Sequence, residues 1–150
     1  MFPGKHYDEV KVGDTLRSSL TVTETHLVLA AGLFGDFNPL HVDETHARAS
    51  RFGGRILHGP FTAALMSAPV GMYFHTTAIA YLEHASRFKA PVRPGDTVTT
   101  TWTIVEKLDK PKHEGGIVVL SGSCRNQDGT VVAEAEGKIL VQSRQTMSRG

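Results

Sequence analysis

Two hydrophobic spacings organise this chain. Leu27, Ala30, Ala31 and Phe34 recur at helical intervals, so residues 24–34 read as an amphipathic helix. Residues 61–68 carry no charge, and a helix that is apolar on every side is a buried helix. Beyond Gly71 the chain turns to Val, Ile, Thr and Ala in four stretches, 79–88, 97–108, 116–125 and 131–141. They are separated by Pro91-Val92-Arg93-Pro94-Gly95-Asp96, by Asp109-Lys110-Pro111 and by Asn126-Gln127-Asp128-Gly129. Asp128-Gly129 is a strong hairpin signal. Connections this short imply an antiparallel sheet. Around Trp102 the apolar positions alternate with threonines, as though one face were wet or met another subunit.

The remaining elements follow from punctuation. Residues 1–14 read as irregular up to the turn Val12-Gly13-Asp14, and 15–22 as a strand. Thr23 is a suitable N-cap and Gly35 a suitable helix end. Asp43 caps a short helical stretch over 43–50. Pro60 suits a first helical turn. Pro69 and Gly71 are expected to kink or end the apolar helix after about two and a half to four turns. The polar tail from Ser143 is expected to fray. The resulting plan is an α+β fold, with one curved antiparallel sheet wrapped around a central apolar helix.

Composition narrows the class. With 150 residues, 40% hydrophobic and 21% charged, the expectation is a single domain spanning 1–150 with its core within about 8–141. A net charge of +1 with scattered basic residues gives no nucleic-acid footprint. No apolar run is long enough to span a bilayer, and Met1 to Lys5 is not a signal peptide. Cys124 is the sole cysteine, which leaves no internal disulfide and fits a reducing cytoplasm. The eight histidines call for an accounting.

One stretch gathers chemistry: Gly35-Asp36-Phe37-Asn38-Pro39-Leu40-His41. Asp, Asn and Pro form turns for purely local reasons, so the segment is a loop signature in its own right. It also breaks the helix between an acid and an imidazole, and a broken helix can aim both at one water. Asp36, His41, Asp43 and His46 include metal-ligating types, yet lack an i,i+4 histidine pair and any cysteine support, and no metal is expected. His46, His75, His84 and His113 read as surface groups or satisfied partners.

Three stretches together resemble the MaoC-like, (R)-specific enoyl-CoA hydratases of the hot-dog fold. They are Gly35 to His41 with Ala47 beyond, Arg51-Phe52-Gly53-Gly54-Arg55-Ile56-Leu57-His58-Gly59, and Arg87 to Thr97. The resemblance implies that Asp36 and His41 are the acid–base residues. It also implies that the Gly59 backbone N–H donates to the thioester oxygen. Asn38 falls at a motif position that is mainly structural; it is carried with His58, Phe61 and Arg55 as a candidate substrate contact. The chain departs from the family at Pro60 and Pro69, which bear on the helix length and the acyl pocket.

The implied activity is reversible hydration of a trans-2-enoyl-CoA to a (3R)-3-hydroxyacyl-CoA. No cofactor is expected, coenzyme A being part of the substrate. The expected assembly is a homodimer, with higher homo-oligomers open, and no nucleic-acid or membrane partner. The alternatives are a hot-dog acyl-CoA thioesterase and a non-catalytic acyl-thioester-binding module. The thioesterase would use a carboxylate on or near the central helix, and 61–68 contain none. A binder would have no need of Asp36 and His41 together.

Overall fold

The computed structural model describes residues 4–144. Helix α1 spans Glu24–Phe34, as the spacing predicted. His26 at its third position reaches back to accept from the Thr23 N–H at 2.9 Å, and Gly35 closes the helix at φ 73° with its N–H on the Ala31 carbonyl. Leu27, Ala30 and Ala31 are buried, but Phe34 is not, and Val28, Leu29 and Leu33 are exposed beside it. The helix is therefore apolar on both faces rather than cleanly amphipathic.

Helix α2, Pro39–Val42, is a single turn that the sequence did not reveal, and α3 is Glu44–Ala49 with Asp43 accepting from the His46 N–H. Helix α4, Gly59–Tyr73, begins as expected with Pro60 in its first turn. It does not end at Pro69. The missing Pro69 donor and its ring cost roughly 3 kcal/mol. Val70 and Phe74, fully buried beyond it, each return about 1.5–3 kcal/mol, which outweighs that cost. Trp102 Nε1 donates to the Met66 carbonyl at 2.8 Å, beside the Leu65 carbonyl that Pro69 leaves without its helical donor.

The strands are β1 (Thr15–Thr21), β2 (Ala78–Phe88), β3 (Thr97–Lys110), β4 (Gly115–Arg125) and β5 (Val131–Gln142). Their antiparallel order is β1-β3-β4-β5-β2, so the connection after β2 crosses from one side of the sheet to β3. Helix α4 contacts β1 and β2, which are opposite edges. Strands ~4.8 Å apart put those edges ~19 Å from each other, while a helix is ~10 Å across, so the sheet must curl around it. This is the hot-dog arrangement.

Burial in β3 alternates strictly through Val98, Thr100, Trp102 and Ile104, with Thr99, Thr101 and Thr103 on the wetter face. The central helix is covered less completely than its composition suggests. Thr62, Met66 and Val70 form its buried stripe, whereas Ala64, Ala68, Gly71 and Met72 are exposed. Alanine and glycine expose little apolar area, so an open face there is inexpensive. Residues 4–14 are irregular as expected apart from one turn, and the described start of the polar tail is bonded rather than frayed. Tyr7–Glu9 form a 3-10 turn. Ser143 donates to the Glu114 carbonyl, and the Arg144 N–H to Asp8. The rest of the expected frayed tail, 145–150, lies outside the described residues.

Trp102 lies across Gly122, where an added Cβ would come within 2.5 Å of the indole. Gly122→Ala is expected to lower unfolding free energy by about 1–3 kcal/mol, measured by urea denaturation, with Gly32→Ala in α1 showing no steric cost because that site is open and its backbone is helical.

Candidate active site

The segment between α1 and α2 is built from local bonds. After left-handed Gly35, the Asp36 carboxylate accepts from the Asn38 N–H at 3.1 Å. Asn38 Oδ1 in turn accepts from the Leu40 N–H at 3.0 Å and caps α2, whose first residue is Pro39. The turn of α2 then carries His41 back towards Asp36. His41 Nε2 stands 3.8 Å from Asp36 Oδ2. That is too long for a hydrogen bond, but one water can lie ~2.8 Å from both atoms.

The His41 tautomer follows from its other nitrogen. Nδ1 is 2.8 Å from the Ile56 carbonyl, which can only accept, so Nδ1 carries the proton and Nε2 offers a lone pair. Asp36 is half-exposed while His41 is mostly covered, which gives the pair one open side.

Gly59 begins α4, and its N–H precedes any helical acceptor. It lies at the positive end of the helix dipole. Phe88, at the end of β2, packs against it so closely that a Cβ on Gly59 would sit 3.1 Å from the ring. Gly59 and Thr62 form one wall of a cavity of about 320 Å³; Ile56, Leu57, Phe88 and Val92 supply most of the apolar remainder, and Lys89 also lines it. A larger cavity of about 570 Å³ beside Tyr7, Asp109 and Arg144 includes none of the candidate residues.

His58 is 1% exposed and stacks on His41, with ring centroids 3.7 Å apart at 26°. Its Nε2 lies 2.9 Å from the Asp36 backbone carbonyl, while its Nδ1 is buried without a partner. Phe61 packs among His26 and Phe34 and does not line the Gly59 cavity. Asn38 spends its side-chain oxygen on capping.

Arg55, a candidate substrate contact from the sequence, is engaged by two carboxylates instead. Its Nε donates to Glu44 and its Nη2 to Glu24, at 2.8 and 2.7 Å, which straps α1 to α3. Glu44 also accepts from Arg48, and hydrogen bonds from both arginines hold its carboxyl below the usual range. Among the remaining histidines, His84 is satisfied by Tyr81 and Ser86, and burial lowers its pKa.

Asp36, His41 and His58 bring ligand atoms within 4.8 Å of one another, a set that replaces the Asp43 and His46 grouping suggested by spacing. Face-stacked rings direct their in-plane lone pairs side by side, whereas one ion needs them to converge. The cluster is thus better arranged for a proton than for a metal. The place of His58 immediately before the helix-starting glycine made it a candidate from the sequence; its pairing with Asp36, 22 residues away, had no local signature.

A model of the MaoC like domain matches residues 9–121. The chain is 34% identical to an (R)-specific enoyl-CoA hydratase of Rhodospirillum rubrum over 93% of each protein. It is 30% identical to a 3-hydroxybutyryl-CoA dehydratase of Methylorubrum extorquens, covering 91% of this chain and 83% of that one. The solved structure of the R-hydratase PhaJ1 from Pseudomonas aeruginosa, unliganded, superimposes with a TM-score of 0.82 at 30% identity, covering 97% and 96% of the two chains.

The Arg55 clamp has a definite pH signature. Glu44 has a folded pKa below its ordinary 4.5, so its stabilising contribution is full above that value and is lost as pH falls through the lower folded pKa. Arg55→Met should melt below wild type at neutral pH, with the gap narrowing on acidification below about 4.5; thermal melts at both pH values check this.

Proposed function

The chain belongs to the MaoC-like domain family, with a hydratase or dehydratase role, and from that premise we propose that it reversibly adds water to a trans-2-enoyl-CoA to give the (3R)-3-hydroxyacyl-CoA. The observation that carries this reading is the Asp36–His41 pair, 3.8 Å apart with the Nε2 lone pair facing the carboxylate, close to the start of α4. The (R) sense rests on the similarity to the Rhodospirillum rubrum protein.

In the proposed reaction a water donates one O–H to Asp36 and the other to His41, so its own lone pair faces C3 of the substrate. Attack at C3 moves the double-bond electrons towards the thioester oxygen. The Gly59 N–H donates to that oxygen as its charge grows, from a helix terminus already polarised to meet it. The proton withdrawn from water is passed by the acid–base pair to C2, which restores the thioester carbonyl. Oxygen ends on C3 and both hydrogens of the water are accounted for. The step requires neither a metal nor an organic cofactor, and coenzyme A enters as part of the substrate.

The thioesterase alternative needs a carboxylate on or near the central helix. Helix α4 contains no Asp or Glu anywhere from Gly59 to Tyr73. The binding-module alternative leaves the His41 tautomer and the Asp36 spacing without a purpose. Among the described residues no helix is long and apolar enough to cross a membrane.

We also propose that the protein works as a homodimer. Strand β2 is a sheet edge with Ile79, Tyr81, Leu82 and Phe88 exposed along it, and an open apolar edge invites pairing with a second copy.

Two measurements test these readings. Loss of the enoyl-thioester absorbance with crotonyl-CoA should be rapid for wild type and fall by ~10²–10⁴-fold in Asp36→Asn and in His41→Gln. Near-normal turnover in both variants would remove the pair from the mechanism. Size-exclusion chromatography with light scattering should give twice the 16.3 kDa chain mass or a multiple of that dimer mass; a monomer at micromolar concentration would contradict the dimer.

A further inference from the structure

His58 touches both members of the acid–base pair, yet the proposed chemistry gives it no step. The Asp36 carbonyl can only accept, so the 2.9 Å contact requires a proton on His58 Nε2 and leaves the lone pair on Nδ1. Among the described residues no other group donates to that carbonyl. The same ring lies face to face with His41 at 3.7 Å, and Phe34 presses edge-on against it at 5.9 Å and 81°. One side chain thus holds the backbone of the acid and the face of the base.

Packing alone does not account for a histidine here. The residue is 1% exposed, and its Nδ1 is the lone buried side-chain polar atom without a partner among the described residues. A phenyl ring would fill the same space without an orphaned nitrogen. What the imidazole adds is the Nε2–H aimed at Asp36. Asp36 sits in a turn outside any helix or strand, just after left-handed Gly35, and its side chain is half-exposed. The carboxylate's own bond, from the Asn38 N–H, lies within that turn, so an outside tie is what fixes the height of the turn relative to His41.

We propose that His58 is a positioning residue: its hydrogen bond to the Asp36 carbonyl and its stack on His41 together set the separation of the two reacting groups. Its kinetic consequence rests on the hydration reading above, whereas its geometry does not.

His58→Phe keeps the ring and its stack while removing the donor; His58→Gln keeps a donor of similar reach. His58→Phe is expected to lower kcat by ~10–100-fold, the scale of a small misplacement of reacting groups, with KM within about twofold. His58→Gln should recover part of that loss. Long-range proton–nitrogen spectra of wild type should show His58 protonated on Nε2 and His41 on Nδ1. The His41 ring signals should move in His58→Phe.

A raised KM with unchanged kcat would make His58 a substrate contact and overturn the proposal. Unchanged kcat in folded His58→Phe, or a His58 protonated on Nδ1, would overturn it as well. If His58→Phe does not fold, the wild-type tautomer and the kcat of His58→Gln decide. If wild type hydrates no enoyl thioester, the hydration reading fails on its own, and the tautomer measurement still judges the positioning.

Discussion

Everything at this site depends on one helix being held by one stripe. Thr62, Met66, Val70 and the following Phe74 are buried at four-residue intervals, and the sheet must curl to reach them from both edges. The Trp102 indole fixes the depth of that contact by bonding the Met66 carbonyl across the space left by Gly122. With the body of α4 locked, its first residue cannot drift. The Gly59 N–H is therefore held against Phe88 at the mouth of the apolar cavity, preorganised before any substrate arrives.

The Asp36–His41 turn is attached to that fixed end by one backbone bond, from the Ile56 N–H to the Leu40 carbonyl, and by two side chains. His41 donates to the Ile56 carbonyl, and His58 to the Asp36 carbonyl, so each side of the helix entry holds one member of the pair. Arg55 secures the outer layer by joining α1 and α3 through Glu24 and Glu44. These last charges are exposed, so their stabilisation is screened and modest. Their contribution is to register: they keep two short helices from sliding past each other around the site.

The surfaces left open are unusually apolar for one copy of the chain. Val28, Leu29 and Leu33 are exposed on α1 and Phe37 in the Asp36–His41 turn, and β2 exposes a second apolar row on its edge. Small side chains keep the outer face of α4 cheap to expose, but the larger residues on α1 and β2 are costly. A hydratase that acts as an assembly of identical chains would remove that cost and narrow the entrance to Asp36 at once.

The local features of this protein were legible from its residues. Thr23, Gly35 and Asp43 mark helix ends because capping acts within four residues, and Asp128-Gly129 marks a hairpin because a turn is set by its own dihedrals. The acid and the imidazole were legible too, since five residues and a proline-stiffened turn separate them. Tertiary structure alone decided that α4 continues through Pro69, because the gain lies in burying Val70 and Phe74 against distant strands. It alone put β2 beside β5 rather than β3, turned Arg55 into a clamp, and brought His58 onto both Asp36 and His41. Caps and turns act between near neighbours and repeat from protein to protein. Strand order, a stacked pair of rings and the reach of one imidazole depend on contacts between residues far apart in the chain, and these exist only once the sheet has closed around the helix.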